Sequence, residues 1–361
     1  MPSLRVAWWN LENLFDTVDD PISRDFEFTP AHGWTQEAYE AKRANLAAAL
    51  GELHGGLGPE LLGVAEVEGD AVLADLLAAV GNPHLKVVED PGGTSDLRGI
   101  DVSLAFDERK LRVVERRSHV VFLRYRTRDI FEVVFELAET GERLVVMASH
   151  WPSRRLGRRE SEPLRIAVAE NLAYLVRDHL LVDSITYERL RADGDLAPVL
   201  ARWETPVLLI GDFNDEPSDS SVVDHLKASS ELDRVIGPTN DIDGFRAQTA
   251  DYRDTDAFLY NPCWRFLAPE NLGSFFISST PAGEVFANRY QVLDQLIVSR
   301  GLLKASGLRL DLDSVGLVRA PSVATPSGRP RPFNRRTKQG TSDHLPLLAT
   351  LVYGSGQSSR S

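Results

Sequence analysis

The chain has 361 residues, 43% apolar and 26% charged, the balance of an ordinary soluble globular protein with room for a large core. Its net charge of −13 argues against a protein that coats nucleic acid through overall charge, while leaving local basic patches open. One cysteine, Cys263, excludes an internal disulfide and a cysteine-based zinc site and suits a reducing cytoplasm.

In chain order, a strand is expected over residues 4–9, a helix over 36–53, a strand over 61–65 and a helix over 70–80. The opening MPSLRVAWWNLENLF lacks the parts of a secretory signal, so a cytoplasmic location is expected. Strands over 85–89, 101–106, 112–122, 131–137 and 144–149 follow one another without a helix, which implies antiparallel hairpins. A helix over 162–181 carries Leu164, Ala167, Val168, Leu172, Leu175 and Val176 as one buried stripe. A strand over 207–210, a helix over 218–229, an irregular excursion over 238–290 and strands over 293–298 and 345–352 complete the pattern. No run approaches the ~20 apolar residues of a membrane span. The expectation is one compact α/β domain over 1–353, monomeric and without an obligate protein partner, ending in a disordered Gly/Ser-rich tail over 354–361.

The strand ends share a habit. The first closes on Asn10, LLGVAEVEG delivers Glu66, LVVMASHWPS delivers His150, VLLIGDFND delivers Asp212 and Asn214, LDQLIVS carries Asp294, and Asp343 and His344 directly precede the last strand. Taken singly, each reads equally well as a turn former or a buried polar group satisfied by backbone. Their number, and the absence of a serine-elbow or thiol motif, favours one shared site.

The ordered set WNLEN, AEVEG, RGIDVSLAF, SHWPSR, GDFND, LDQLIVS and SDHLP resembles the endonuclease/exonuclease/phosphatase superfamily, the deoxyribonuclease I-like fold, over nearly the whole chain. The resemblance implies a four-layer α/β/β/α sandwich with its site on one edge. It implies Mg²⁺ or Mn²⁺ held at Glu66, with Asn10 and Asp343 beside it. Asp212 and Asn214 would activate the attacking water and hold the phosphate, His344 would contact the scissile phosphate, His150 would protonate the leaving oxygen, and Asp294 would fix a histidine tautomer. Arg128 resembles a phosphate-binding arginine and Asp101 a second histidine-orienting acid, though either reads equally as an edge-strand residue. Ala65 departs from the pattern, standing where many members have glutamine.

Basic residues flank two motifs: Arg154, Arg155, Arg158 and Arg159 after His150, and Arg329, Arg331, Arg335, Arg336 and Lys338 before Asp343. They imply a funnel for polyanions, or else two solvated loops. The expected activity is a metal-dependent phosphodiesterase, a nuclease on DNA or RNA. The alternatives are a phosphatase or phosphodiesterase on lipid or inositol phosphates, and a silent binding module.

Overall fold

The computed structural model describes residues 1–19, 25–90, 99–123, 127–236, 256–269, 271–278 and 289–354. The excursion at 238–290 is thus covered in part, and the tail from residue 355 lies outside the described residues.

The strands are β1 (Ser3–Leu14), β2 (Leu61–Val67), β3 (Leu85–Val87), β4 (Asp101–Asp107), β5 (Leu111–His119), β6 (Ile130–Leu137), β7 (Arg143–His150), β8 (Val207–Asp212), β9 (Ala228–Ser229), β10 (Leu259–Tyr260), β11 (Phe275–Phe276), β12 (Tyr290–Gln291), β13 (Asp294–Val298), β14 (Arg309–Leu317) and β15 (Leu347–Val352). The helices are α1 (Gln36–Gly56), α2 (Gly69–Val80), α3 (Arg158–Leu180), α4 (Ser184–Asp193), α5 (Ala197–Trp203) and α6 (Leu232–Ile236). One sheet runs β14-β15-β1-β2-β4-β3 and the other β5-β6-β7-β8-β13-β10-β9. The parallel pairs β1–β2 and β7–β8 are joined through helices, α1 in one case and α3 to α5 in the other, and β9 and β10 are parallel as well. The meander β5-β6-β7 is antiparallel, as a run of strands without helices requires.

The alternation of side chains along each strand builds the layers. Val6 and Trp8 of β1 pack with Val146 of β7 and Leu208 and Ile210 of β8 between the sheets. Ala7 and Trp9 face the opposite way and pack with Leu46, Leu50, Leu73 and Leu76 of α1 and α2. Val207 and Leu209 do the same against α3 and α5, with Val168, Leu172 and Val199. An aliphatic run without polar interruption in β8 is thus the mark of a strand covered on both faces. Each Leu or Ile fully buried there contributes about 1.5–3 kcal/mol of transfer free energy. The result is the four-layer α/β/β/α sandwich.

The structure adds α4, α5 and β14, which the sequence did not signal, carries β1 on to Leu14, and changes three further elements. The stretch 218–229 forms one wide helical turn, Ser221–His225, and then β9. Its fully covered apolar side chains are Val222, Leu226 and Ala228, and after Lys227 at φ 61° the chain pairs with β10. Strand β5 stops at His119 instead of reaching residue 122. Helix α3 begins four residues early, and its buried face runs through Ser161, Arg165, Val168, Ala169, Leu172, Val176 and Leu180. Leu164, Ala167 and Leu175 are only half-buried, because Arg165 takes the central place to meet an acid beneath the site. Among the described residues no helix is long and apolar enough to cross a membrane.

Candidate active site

Sheet register brings the polar strand ends into one place. His150 of β7 pairs with Asp212 of β8, and Asp212 pairs with Asp294 of β13, so three functional groups share a row at one end of the second sheet. In the first sheet Asn10 of β1 stands opposite Ala65, which places it next to Glu66. Stacking the sheets joins the rows: Asn10 donates its amide to Asp212 Oδ2 at 3.0 Å. Ser342 ties in the last motif, donating to the Asn10 carbonyl at 2.6 Å and accepting from the His344 amide at 3.0 Å.

Asp212 is the centre. Its Oδ2 faces His150 Nε2 at 3.4 Å and His344 Nε2 at 3.9 Å, and its Oδ1 accepts from the Asn214 backbone at 2.9 Å. His344 Nδ1 lies 2.6 Å from Asp294 Oδ2, while the other Asp294 oxygen accepts the Trp8 indole N–H at 2.7 Å. Asn214 donates its side chain to the Trp151 carbonyl at 3.0 Å, and buried Arg128 reaches the same carbonyl at 3.4 Å. Glu66 Oε1 lies 3.8 Å from His150 Nε2, and Asp343 Oδ1 lies 4.0 Å from His344 Nε2. Asp101 is buried at the start of β4 opposite Val67, one residue from Glu66, and its Oδ1 accepts from the Val102 amide.

Burial and crowding set the protonation tendencies. Burial pushes Asp212 up to about 7, with Asp294 adding to it and the His344 charge opposing. Burial disfavours charge on His344, yet Asp294 and Asp212 outweigh it and raise His344 well above the usual imidazole range. Glu12 rises to about 7, first through burial and then through Asp343 and Glu66, with Lys42 opposing. The turns that present these groups are held in left-handed backbone: Glu12 at φ 52°, Asn13 at 59°, Glu66 at 59° and Asn214 at 49°. For residues with a Cβ this conformation is costly and tends to gather where function demands it.

The sequence profile of the endonuclease/exonuclease/phosphatase family matches residues 5–261. The chain belongs to this family. No curated protein sequence matches it. Solved structures share the fold at low identity. An endonuclease/exonuclease/phosphatase family protein from Bacteroides thetaiotaomicron is 16% identical, covering 98% of this chain and 96% of that one at a TM-score of 0.53. A mannosyl-6-phosphatase from the same species is also 16% identical, covering 97% and 100% at 0.53. D. rerio TDP2, humanized by 14 mutations, is 12% identical, covering 97% and 99% at 0.52. Family membership makes the protein a hydrolase of the phosphodiesterase and phosphatase type.

Within this family frame the basic residues fall into two groups. Arg154 donates to Asp215 at 2.9 Å, to Gln291 at 3.2 Å, to Asp219 and to the Asn214 carbonyl. Arg158 is also paired with Asp219. Arg335 lies over the Phe28 and Trp34 rings at 4.5 and 5.3 Å and donates to the Glu27 carbonyl. These three arginines are committed to the protein itself. Arg155, Arg159, Arg336 and Lys338 keep exposed side chains.

Sequence reading missed the supports. Trp8, Ser342 and Lys42 carry no strand-end signal, since each meets a partner across a large separation, whereas Asp215 follows β8 as the second acid of GDFND. Lys42 of α1 is 2% exposed, packs over the Trp34 and Phe333 rings and donates to the Glu12 carbonyl. Asp215 takes Arg165 at 2.7 Å and Ser221 at 2.6 Å and is covered completely. Only the tandem tryptophan and the second acid of GDFND could have hinted at them.

Proposed function

We propose that the chain is a Mg²⁺- or Mn²⁺-dependent phosphodiesterase that cleaves nucleic acid. One observation carries the reading: two imidazole Nε2 atoms converge on one buried carboxylate oxygen of Asp212, at 3.4 and 3.9 Å, beside a group of oxygen donors.

The residues fit a hard divalent cation. Glu66, Asp343 and the Asn10 amide offer oxygen alone, the donor type that Mg²⁺ and Mn²⁺ prefer. Burial first and neighbouring carboxylates next raise the proton affinity of Glu12, through Asp343 and Glu66, and of Asp343, through Glu66, and a dication relieves that repulsion. Glu66 and Asp343, with side chains 16% and 40% exposed, keep open faces toward the cleft. The ligand-type atoms of Asp212, Asp294 and His344 also lie within 4.8 Å of one another. Their lone pairs and protons are already engaged with each other and with Trp8, so we place the metal on the Glu66 side.

When bound, the ion supplies charge neutralisation of the phosphate. The protein's own groups move the protons. Asp212, held by Asn10 and the Asn214 amide, takes a proton from the attacking water as its oxygen bonds to phosphorus. His344, kept cationic by Asp294 and Asp212, donates from Nε2 to a phosphate oxygen. His150 delivers its Nε2 proton to the leaving oxygen as the ester P–O bond breaks. Exposed Arg155, Arg159, Arg336 and Lys338 on an acidic protein favour a polyanionic substrate over a small phosphomonoester.

The test is turnover of supercoiled DNA, abasic duplex, RNA and bis-p-nitrophenyl phosphate, with and without EDTA. Hydrolysis of a polynucleotide that stops in EDTA and returns with excess Mg²⁺ or Mn²⁺ is expected. Full turnover in EDTA removes the metal from the reading, and turnover confined to phosphomonoesters removes the nuclease.

A further inference from the structure

We infer that Trp8 is a positioning residue, whose indole N–H holds the Asp294 carboxylate in the orientation that aims His344. The inference rests on the role proposed above for His344.

Trp8 and Trp9 lie on opposite faces of β1, yet both indoles end on the same pair of residues. Trp9 donates to the His344 backbone carbonyl at 2.9 Å, and Trp8 donates to Asp294 Oδ1 at 2.7 Å. A buried indole N–H usually finds an acceptor, and a carbonyl suffices, as Trp34 shows by donating to the carbonyl of Asp16 at 2.8 Å. Trp8 takes a buried carboxylate instead. Asp294 is fully covered, and its two oxygens have different tasks: Oδ2 meets His344 Nδ1 at 2.6 Å and Oδ1 meets Trp8. Its backbone N–H is fixed separately on Ser274 Oγ at 2.9 Å. With one donor on each oxygen the carboxylate cannot rotate about its Cβ–Cγ bond without breaking a charge-assisted hydrogen bond. That locks Nδ1 as the nitrogen facing Asp294 and leaves Nε2 facing Asp212.

The neighbouring strand is shaped for this ring. Gly63 is the residue paired with Trp8 on β2, and a Cβ there would lie 2.8 Å from Trp8 Cε3 and 2.6 Å from Ile210 Cδ1. The indole therefore occupies space that any other residue at position 63 would contest.

The experiment removes the N–H while keeping the ring. Trp8→Phe is the simple variant, and site-specific replacement of Trp8 by benzothienylalanine, which carries sulfur where the N–H was, is the isostere that preserves packing. Both are assayed on bis-p-nitrophenyl phosphate beside His344→Ala, Asp294→Asn and the isostere in the Asp294→Asn background. The ¹⁵N imidazole spectrum of His344 is recorded at fixed pH. We expect the isostere to lower kcat about tenfold, equivalent to ~1.4 kcal/mol, with KM within about twofold. We expect the ¹⁵N resonance of the His344 Nδ1 that faces Asp294 to move, and no further fall in kcat when Asp294 is already asparagine. Wild-type kcat and an unchanged His344 spectrum in the isostere overturn the inference, as do losses that simply multiply in the double variant. If His344→Ala keeps full turnover, the reading of His344 fails and this inference with it. If His344→Ala collapses turnover while the isostere does not, the positioning role alone fails.

Discussion

At the residue scale, Glu66 is where left-handed backbone coincides with the proposed metal site. It stands next to last in β2, at the register shift between Ala65 and Val67, with φ at 59°, and its carboxylate lies beside His150. Glu68, two residues on, accepts the Asp16 amide at 2.7 Å and so closes the turn without facing the histidines. Glu66→Gln should therefore weaken Mg²⁺ binding and lower turnover by at least ~10², with the melting temperature little changed. Glu68→Gln keeps an acceptor for Asp16 and should leave both near wild type. Calorimetric metal titration and initial rates on the two variants check this, and equal losses would place the metal elsewhere. The sequence made Glu66 visible because a carboxylate that closes an aliphatic run interrupts a strong pattern. Trp8 and Lys42 were invisible for the opposite reason: an aromatic in a strand and a lysine in a helix break no pattern, and their partners Asp294 and Glu12 lie 286 and 30 positions away.

At the element scale, the loop after β7 does something other than what its arginines suggested. Arg154, read as a phosphate contact, instead clamps the turn carrying Asn214, together with Arg165 of α3 and the fully covered Asp215. Removing one partner of such a network leaves an uncompensated buried charge. Arg154→Ala should thus lower kcat on bis-p-nitrophenyl phosphate and on DNA by similar factors, whereas loss of a mere polyanion contact would spare the small diester; steady-state rates on both substrates decide. The same helix α3 is fixed to the β5–β6 hairpin through Glu132, which lies between His119 at 2.9 Å and His179 at 3.0 Å. Burial alone would raise Glu132, but the two imidazoles outweigh it and bring the carboxyl down to about 2. A depressed carboxyl stabilises the fold fully above its ordinary 4.5 and ceases to do so as pH falls through about 2. The gap in urea midpoint between wild type and Glu132→Gln should close as pH falls from about 4.5 towards 2; a gap that widens over that range contradicts it. Helices α1, α2 and α3 were legible because apolar residues recur in each at helical spacing, whereas α4, α5 and β14 were not read. The turn at Ser221–His225 was not, because Asp215 and Asp219 recruit its neighbours into polar contacts that propensity does not register.

At the scale of the whole molecule, a chain with a charge of −13 approaches a polyanion only where its field is locally reversed. With Arg154, Arg158 and Arg335 engaged internally, Arg336 and Lys338 are exposed basic groups in the loop that precedes Asp343 and that Asn45 of α1 pins through the Lys338 and Gly340 carbonyls. That loop also donates the Phe333 amide to Glu12 at 2.7 Å, so its exposed charges are carried at a fixed distance from the cleft. If they contact phosphates flanking the scissile one, each releases counterions on binding and contributes about 0.9 to the salt slope on duplex DNA. Arg336→Gln/Lys338→Gln should then raise KM for long polynucleotides and flatten the dependence of log kcat/KM on log salt by roughly 2. Hydrolysis of bis-p-nitrophenyl phosphate should stay unchanged, because a small diester never reaches the flanking contacts. Rates on both substrates across a salt series, for wild type and double variant, separate the possibilities: a slope that does not move places the polynucleotide path on the Arg155 and Arg159 side, and equal effects on both substrates mean the loop acts on the catalytic centre itself through Glu12.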